Sequence, residues 1–241
     1  MGSYRWNWPI LLAEPYFGWI VSGFTNTCLI AVLAWIIAFP LGSAIGIART
    51  TEVRALRLAG TVYVEVFRNI PLLAQMFLWY FVVPELLPED WGRWVKREMP
   101  YPQFLTSVLC LGLYTASRVA EQVRSGIEAI SGGQVHAGLA MGLTPSQVYR
   151  YVRLPVAYRI IIPSLTSDFL GVFKNSSLAL TIGVLELTSQ ARQIEEYTFA
   201  AFEAFATATL LYCAVTGIVI FVMRQIERRT RIPGTITIGA Q

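Results

Sequence analysis

Three cationic side chains lie within strongly apolar stretches of this 241-residue chain: Arg68, Arg118 and Lys174. An ionised group near the centre of a membrane-spanning helix costs about 2.5–3.5 kcal/mol, so such groups are normally paired or functional. Where cations outnumber the carboxylates around them, a negatively charged ligand would compensate the excess. These residues therefore indicate that an anionic solute binds to the protein or passes through it.

The first two cations each have a carboxylate about one helical turn away. Arg68 follows Glu65 and precedes Pro71, which predicts an ion pair beside a structural kink or gate. Arg118 precedes Glu121 by three residues, and we expect these two side chains to pair. By helical spacing, Arg118 belongs to a polar stripe that must avoid lipid. Its members are Tyr114, Arg118, Glu121, Gln122 and Ser125.

Lys174 has the least local compensation, because Asp168 falls on a different face of the same segment. Two polar stripes on antiparallel helices predict a hydrated pathway between them. The alternative is hydrogen bonding that only holds the helices together, worth about 0.6–2 kcal/mol per contact. We favour the pathway, because such contacts are usually made by Ser, Thr and Asn rather than by full cations. The predicted pathway residues are Arg118, Glu121, Lys174, Asn175, Ser176, Ser177 and Thr181.

The elements that carry these residues belong in a bilayer. The chain is 55% hydrophobic and 14% charged, with a mean hydropathy of +0.52, which is too apolar for an ordinary soluble domain. A spanning helix needs about 20 mostly apolar residues. Five segments qualify: 19–47, 61–83, 104–123, 160–185 and 202–223. We predict an all-α membrane protein with about five transmembrane helices.

This prediction divides the chain into three parts. Residues 1–18 form an aromatic interfacial segment, residues 19–227 a single transmembrane domain, and residues 228–241 a cytoplasmic tail. With five spans the termini lie on opposite sides of the membrane. Lys and Arg are concentrated on the side of the C-terminus, which predicts an outer N-terminus and a cytoplasmic C-terminus. The net charge of +4 is then a signal of orientation and requires no nucleic-acid partner.

Nothing in the sequence indicates catalysis. There is one histidine, and the three cysteines lie within predicted spans without CxxC spacing, so we expect no metal site and no cofactor. The phosphate-binding pattern GxxxxGK[ST] does not occur, so an ATPase that drives transport must be another polypeptide. A membrane enzyme is therefore disfavoured, whereas a stand-alone secondary carrier or channel stays an alternative to an ATP-driven transporter.

A polar, glycine-punctuated insert at about 129–159 separates the third and fourth spans. Thr144 and Pro145 are typical of a helix N-cap followed by proline at the first helical position. We predict two short helices that meet near residues 142–144 and form a compact knob. The alternative is an amphipathic loop on the lipid surface.

The insert resembles the EAA loop of ABC-importer permeases, whose pattern is Glu-Ala-Ala-x3-Gly-x9-Ile-x-Leu-Pro. Ala137, Gly142, Leu154 and Pro155 are in register, whereas His136 occupies the acidic position. The resemblance implies a coupling helix that docks onto ABC ATPase subunits. The residues it assigns to coupling are Gln134, His136, Ala137, Gly138, Gly142, Leu154 and Pro155.

Three further motifs resemble polar amino-acid ABC permeases, the binding-protein-dependent inner-membrane components. They are FRNIPLL at 67–73, EQVRSGIEAI at 121–130 and KNSSL at 174–178. The version at 117–124 is most similar to glutamate/aspartate importers. The resemblance spans about residues 26–227 and implies a type I ABC importer permease fold in the bacterial cytoplasmic (inner) membrane.

The same resemblance implies a set of partners. They are a second permease, identical or a sister, two ATPase subunits that bind ATP and Mg²⁺, and a periplasmic or surface-anchored binding protein that delivers an amino acid. Glutamate and aspartate are the expected substrates. Glutamine, arginine and histidine are the alternatives.

Overall fold

The computed structural model describes residues 6–230, which form α-helices joined by short 3₁₀- and π-helical segments. The α-helices are α1 (Tyr16–Arg49), α2 (Arg54–Asn69), α3 (Leu72–Phe77), α4 (Val83–Leu86), α5 (Glu89–Arg97), α6 (Pro102–Glu128), α7 (Gly132–Ala140), α8 (Pro145–Val148), α9 (Leu154–Asn175), α10 (Leu187–Thr198) and α11 (Ala201–Thr230). The 3₁₀ segments are Trp8–Leu12 and Ser176–Ile182, and the π segments are Leu78–Val82 and Tyr149–Arg153. The predicted all-α class is confirmed.

Helix α6 lies at the centre of the bundle and packs against α1, α2 and α9. Its closest neighbour is α1, because small residues let the two backbones approach. A Cβ atom at Gly42 would lie 2.5 Å from the Ala116 carbonyl oxygen, and one at Gly46 would lie 2.6 Å from that of Ala120. Packing through small residues is the usual way in which membrane helices gain close van der Waals contact.

Among residues 6–230, fewer helices qualify as spans by length and composition than the five that the sequence predicts. By length and composition alone, three continuous helical segments of residues 6–230 could cross a membrane: Tyr16–Arg49, Pro145–Ile182 and Ala201–Thr230. A fourth is obtained if the bent pair Arg54–Asn69 and Leu72–Leu86 counts as one span. Helix α6 is long enough at 27 residues but is more polar, as its buried position at the centre of the bundle allows.

The predicted span at 61–83 is not one continuous helix, because the chain bends by 102° between α2 and α3. Pro71 has no backbone N–H and drives the preceding Ile70 into an extended conformation. The buried side chain of Gln75 compensates the break. Its Nε2 donates to the carbonyl oxygens of Phe67 and Ile70, both at 2.8 Å. The expected kink at Pro71 is therefore present, and it is a sharp turn.

The predicted helix at 160–185 is also corrected. The α-helix ends at Asn175, and the chain continues as the 3₁₀ segment Ser176–Ile182. This segment ends before Gly183, whose φ is +88°. Helices α5 and α10 are not predicted from the sequence. Helix α11 continues to Thr230, so the predicted tail begins inside a helix, and residues 231–241 lie outside the described residues.

Candidate functional site

Arg118 is paired across two helices. Its Nε donates to Asp168 Oδ1 at 2.7 Å, which joins α6 to α9. The side chain of Asp168 is 1% exposed, whereas that of Arg118 is 50% exposed. The expected pair with Glu121 is wrong, because Glu121 is already surrounded by other arginines. Arg118 therefore has a buried partner, and half of its own side chain stays exposed on the surface of the bundle.

Glu121 is the centre of an ion-pair cluster that connects three helices. Its Oε2 lies 2.6 Å from Nη1 of Arg49 on α1, and its Oε1 lies 2.5 Å from Nη2 of Arg124 on α6. Arg68 on α2 approaches Oε2 at 3.8 Å. Arg124 also binds Glu128. Glu121 therefore ties the ends of α1, α2 and α6 together.

The expected pair of Glu65 and Arg68 is wrong as well. Glu65 accepts a hydrogen bond from Asn69 Nδ2 at 2.9 Å, and the carboxylate near Arg68 is that of Glu121. Arg68 is half-exposed and its distance to Glu121 is long, so this contact contributes little to stability. Arg68 is consequently free to change partners if α2 moves relative to α6.

Lys174 lines an open groove between the end of α9, α10 and α11, with a volume of about 390 Å³. Among the described residues, Lys174 has no carboxylate within 4.0 Å. Its polar neighbours in the groove are Ser177, Thr181, Thr188, Thr209 and Tyr212. Two of the predicted companions of Lys174, Ser177 and Thr181, therefore share its surface. Arg118 does not line this groove, so the predicted pathway residues fall into two separate regions.

The hydroxyl groups beside Lys174 donate to the backbone. Ser176 donates to the Phe173 carbonyl at 2.7 Å, Ser177 to that of Lys174 at 2.8 Å, and Thr181 to that of Leu178 at 2.7 Å. A hydroxyl has one proton and two lone pairs, so these groups can only accept a further hydrogen bond. Ser176 is fully buried, and Asn175 is half-buried. The groove thus offers one cation and, on Ser177 and Thr181, hydrogen-bond acceptors.

The groove has a rigid wall on the side of α10. Glu186 is fully buried and caps this helix by accepting from the backbone N–H groups of Thr188 and Ser189 at 3.0 and 2.7 Å. It also accepts from the Tyr212 hydroxyl at 2.8 Å, which fixes this side chain in the groove. Neither Glu186 nor Tyr212 is predicted from the sequence. No sequence signal indicates this cap, because Glu is not among the residues that usually cap helices.

The insert folds as two short helices, α7 and α8, as predicted. Gly142 has a φ of +86° in the turn between them. Thr144 forms a capping box: its side chain accepts from Gln147 N at 3.3 Å, and Gln147 Oε1 accepts from Thr144 N at 2.8 Å. Gly138 is buried, because Val148 packs against it; a Cβ atom there would lie 3.0 Å from Val148 Cγ2.

The outer surface of this insert is a mixture of polar and apolar groups. Of the residues assigned to coupling by resemblance, Gln134, His136, Ala137 and Pro155 are exposed, as is Gly142, whereas Leu154 is half-buried. Large apolar side chains are exposed beside them, namely Leu139, Met141 and Tyr151. The buried Gly138 can act only through the shape of the insert.

Residues 38–232 match the family of binding-protein-dependent transport system inner membrane components. The chain belongs to this family. The permease is 49% identical to the glutamate/aspartate import permease protein GltJ of Escherichia coli K12, over 97% of this chain and 98% of that protein. It is 34% identical to the probable glutamine ABC transporter permease protein GlnM of Bacillus subtilis, over 83% of this chain and 88% of GlnM.

Solved structures agree with this assignment. A crystal structure of an amino acid ABC transporter with histidines superimposes with a TM-score of 0.80 at 28% identity, covering 94% of the permease and 100% of that chain. The MetNI methionine transporter, at 20% identity and a TM-score of 0.71, shares the fold. The type I ABC importer permease fold is confirmed, and family membership supports an importer subunit over a stand-alone carrier.

Proposed function

We propose that this permease imports glutamate and aspartate as the membrane subunit of an ATP-driven ABC transporter. The observation that carries the proposal is Lys174, a cation without a carboxylate partner among the described residues, in a groove that also presents hydrogen-bond acceptors. The 49% identity to a glutamate/aspartate import permease over nearly the full length of both chains supports the same substrates.

The chemistry of the groove fits an acidic amino acid. Such a solute has two carboxylates and one ammonium group. Lys174 would bind a carboxylate through a charge-assisted hydrogen bond, and the hydroxyl oxygens of Ser177 and Thr181 would accept from the ammonium group. Arg118, half-exposed on the polar face of α6, offers a second cation along the pathway. The bond from Ser176 to the Phe173 carbonyl would help to hold the junction of α9 and the 3₁₀ segment in place, next to Asn175.

A second permease, identical or a sister, would complete the pathway. Arg118 and Ser125 are exposed on α6, and ionised or polar side chains at this depth cannot face hydrocarbon without a large cost. A second copy facing this surface would enclose a hydrated route between the two subunits. A periplasmic or surface-anchored binding protein would deliver the amino acid to its outer end.

The docking loop, which we define as residues 129–159, would bind the separate ATPase subunits, where ATP and Mg²⁺ are held. Its exposed apolar side chains, Leu139, Met141 and Tyr151, would fill a cleft on the ATPase, and the exposed Gln134 and His136 would form polar contacts at the edge. ATPase closure would shift the permease between outward- and inward-facing states by binding one of them more tightly.

The orientation follows from the same assignment. The docking loop must be cytoplasmic to meet the ATPase, which gives a cytoplasmic C-terminus and an outer N-terminus in the bacterial cytoplasmic membrane. The distribution of Lys and Arg supports this orientation. Glu65, Arg68 and Pro71 would then lie at the bend between α2 and α3, where Arg68 contacts the Glu121 cluster and could take part in gating.

Reconstitution tests the proposal. The complex purified through a tag on the permease should import radiolabelled glutamate into proteoliposomes only when ATP and the binding protein are both supplied, and unlabelled aspartate should compete. Uptake by the permease alone would contradict an ABC importer and support a secondary carrier. Competition by glutamine, arginine or histidine, but not by aspartate, would contradict the acidic substrate.

A further inference from the structure

The C-terminal end of α1 is hydrogen-bonded to the docking loop. The Thr50 side-chain oxygen lies 2.6 Å from the hydroxyl of Tyr149. Thr50 also donates to the Ile47 carbonyl at 2.8 Å, which uses its only proton. Tyr149 must therefore be the donor in the contact with Thr50. This direction means that loss of the Tyr149 hydroxyl removes the bond but leaves the cap of α1 intact.

Arg49, the residue before Thr50, contacts the central helix α6 instead of the docking loop. The side chain of Arg49 is 9% exposed, and its Nη1 contacts Glu121 Oε2 on α6 at 2.6 Å. This pair holds Arg49 in place, because separating it would leave the nearly buried Arg49 without a carboxylate, whereas Glu121 would keep Arg124. The end of α1 is thus held by the docking loop through Thr50 and by α6 through Arg49.

Tyr149 lies within the docking loop, next to a residue that packs in its interior. It follows Val148, which is 2% exposed and packs against Gly138 of α7. A displacement of α7 and α8 therefore carries Tyr149 with it. The covalent route from the loop into α9 is less direct, because it passes through the π segment Tyr149–Arg153. Such single-turn segments interrupt the regular α-helix and are frequent at functional sites.

We propose that Tyr149 is a positioning residue that transmits movement of the docking loop to α1 through Thr50, while the Arg49–Glu121 pair keeps α1 aligned with α6. This route would supplement the covalent connections of the loop to α6 and α9 and would couple ATPase closure to α1. The inference rests on the proposed function, because it requires that an ATPase binds the docking loop. Tyr149 need not touch either the substrate or the ATPase.

The test is the number of glutamate molecules imported per ATP hydrolysed by the reconstituted complex. Tyr149→Phe removes one hydroxyl and should lower this ratio about two- to tenfold, as expected for one hydrogen bond that favours the coupled state. Tyr197→Phe is the matched control, because Tyr197 is an exposed tyrosine on α10, outside the docking loop. It should leave the ratio unchanged.

Thr50 provides the other half of the test. Thr50→Val should lower the ratio, and Thr50→Ser should retain it. The double variant Tyr149→Phe with Thr50→Val should have the same ratio as Thr50→Val alone. An unchanged ratio in Tyr149→Phe, or an equal loss of uptake and ATP hydrolysis, would overturn the inference. Failure of the unsubstituted complex to show ATP-dependent uptake would instead overturn the proposed function.

Discussion

Arg118 and Asp168 form an asymmetric ion pair between α6 and α9. The Nε–Oδ1 distance is 2.7 Å, and the second carboxylate oxygen of Asp168 is buried and accepts no hydrogen bond from residues 6–230. Asp168 therefore depends on Arg118 for compensation of its charge, whereas Arg118 is half-exposed and has less need of Asp168. The two residues should respond differently when either is neutralised.

Arg118→Gln should destabilise the permease more than Asp168→Asn does. The first variant leaves a buried carboxylate unpaired, which typically costs about 3–5 kcal/mol, and the second leaves a cation that is partly exposed. Thermal unfolding of the purified complex measures the difference. The double variant should recover most of the stability lost in Arg118→Gln. If Arg118→Gln unfolds at the same temperature as the unsubstituted protein, the pair has no structural role.

The ion pairs show a limit of reasoning from spacing along one helix. Glu121 lies one turn from Arg118, so the sequence predicts that they pair, yet Arg118 binds Asp168, 50 residues away. Glu121 in turn binds Arg49, 72 residues earlier. Helical periodicity identifies the polar face correctly but contains no information about which helices pack side by side.

Local signals were more reliable than long apolar runs. The N-cap at Thr144 and the turn at Gly142 form as predicted, because caps and backbone dihedrals depend on a few adjacent residues. Hydropathy treats residues 61–83 as one span and does not report the direction of the chain after Pro71. It also cannot separate an α-helix from the 3₁₀ segment Ser176–Ile182, which is equally apolar.

Gly142→Ala should weaken retention of the ATPase. The φ of +86° disfavours any residue with a Cβ atom, at a cost of about 1–2 kcal/mol, although no neighbouring atom would clash. Gly133→Ala is the matched control, because Gly133 also has open space around it and lies in α7 without a positive φ. Co-purification of the ATPase with the tagged permease measures retention. Equal retention by both variants would contradict a docking role for this turn.

The proposed orientation predicts which loops accept labels from outside. Single cysteines at the exposed positions Glu98 and Ser146 should behave differently in a background that lacks Cys28, Cys110 and Cys213. An impermeant maleimide should label the cysteine at 98 in intact cells and the one at 146 only after the membrane is permeabilised. Labelling of both from the outside would rule out the cytoplasmic docking loop.

Gly42→Ala should destabilise the bundle, whereas Gly171→Ala should not. An added Cβ atom at Gly42 would lie 2.5 Å from the Ala116 carbonyl oxygen, so α1 and α6 would have to separate. Overpacking of this kind typically costs about 1–3 kcal/mol. Gly171 lies within α9 and has no atom within 4 Å of the added group. Thermal unfolding in one detergent compares the two, and equal unfolding temperatures would contradict the close packing of α1 on α6.

Lys174→Gln should reduce glutamate and aspartate transport without reducing the amount of protein in the membrane. A hydrogen bond to a charged group contributes about 1.5–3 kcal/mol, so we expect a loss of roughly 10- to 150-fold in uptake. Lys174→Arg keeps the charge and should retain part of the activity. The matched control is Lys96→Gln, because Lys96 pairs with Glu85 on the surface, and exposed pairs of this kind contribute little.

The measurement that checks Lys174 is the initial rate of uptake at saturating ATP and binding protein. ATP hydrolysis in the absence of substrate should stay the same, because the groove lies between α9, α10 and α11 and includes no residue of the docking loop. Reduced hydrolysis under these conditions would indicate a gating or structural role. Unchanged uptake by Lys174→Gln would exclude Lys174 as a binding group for the substrate carboxylate, since no other described cation lines this groove.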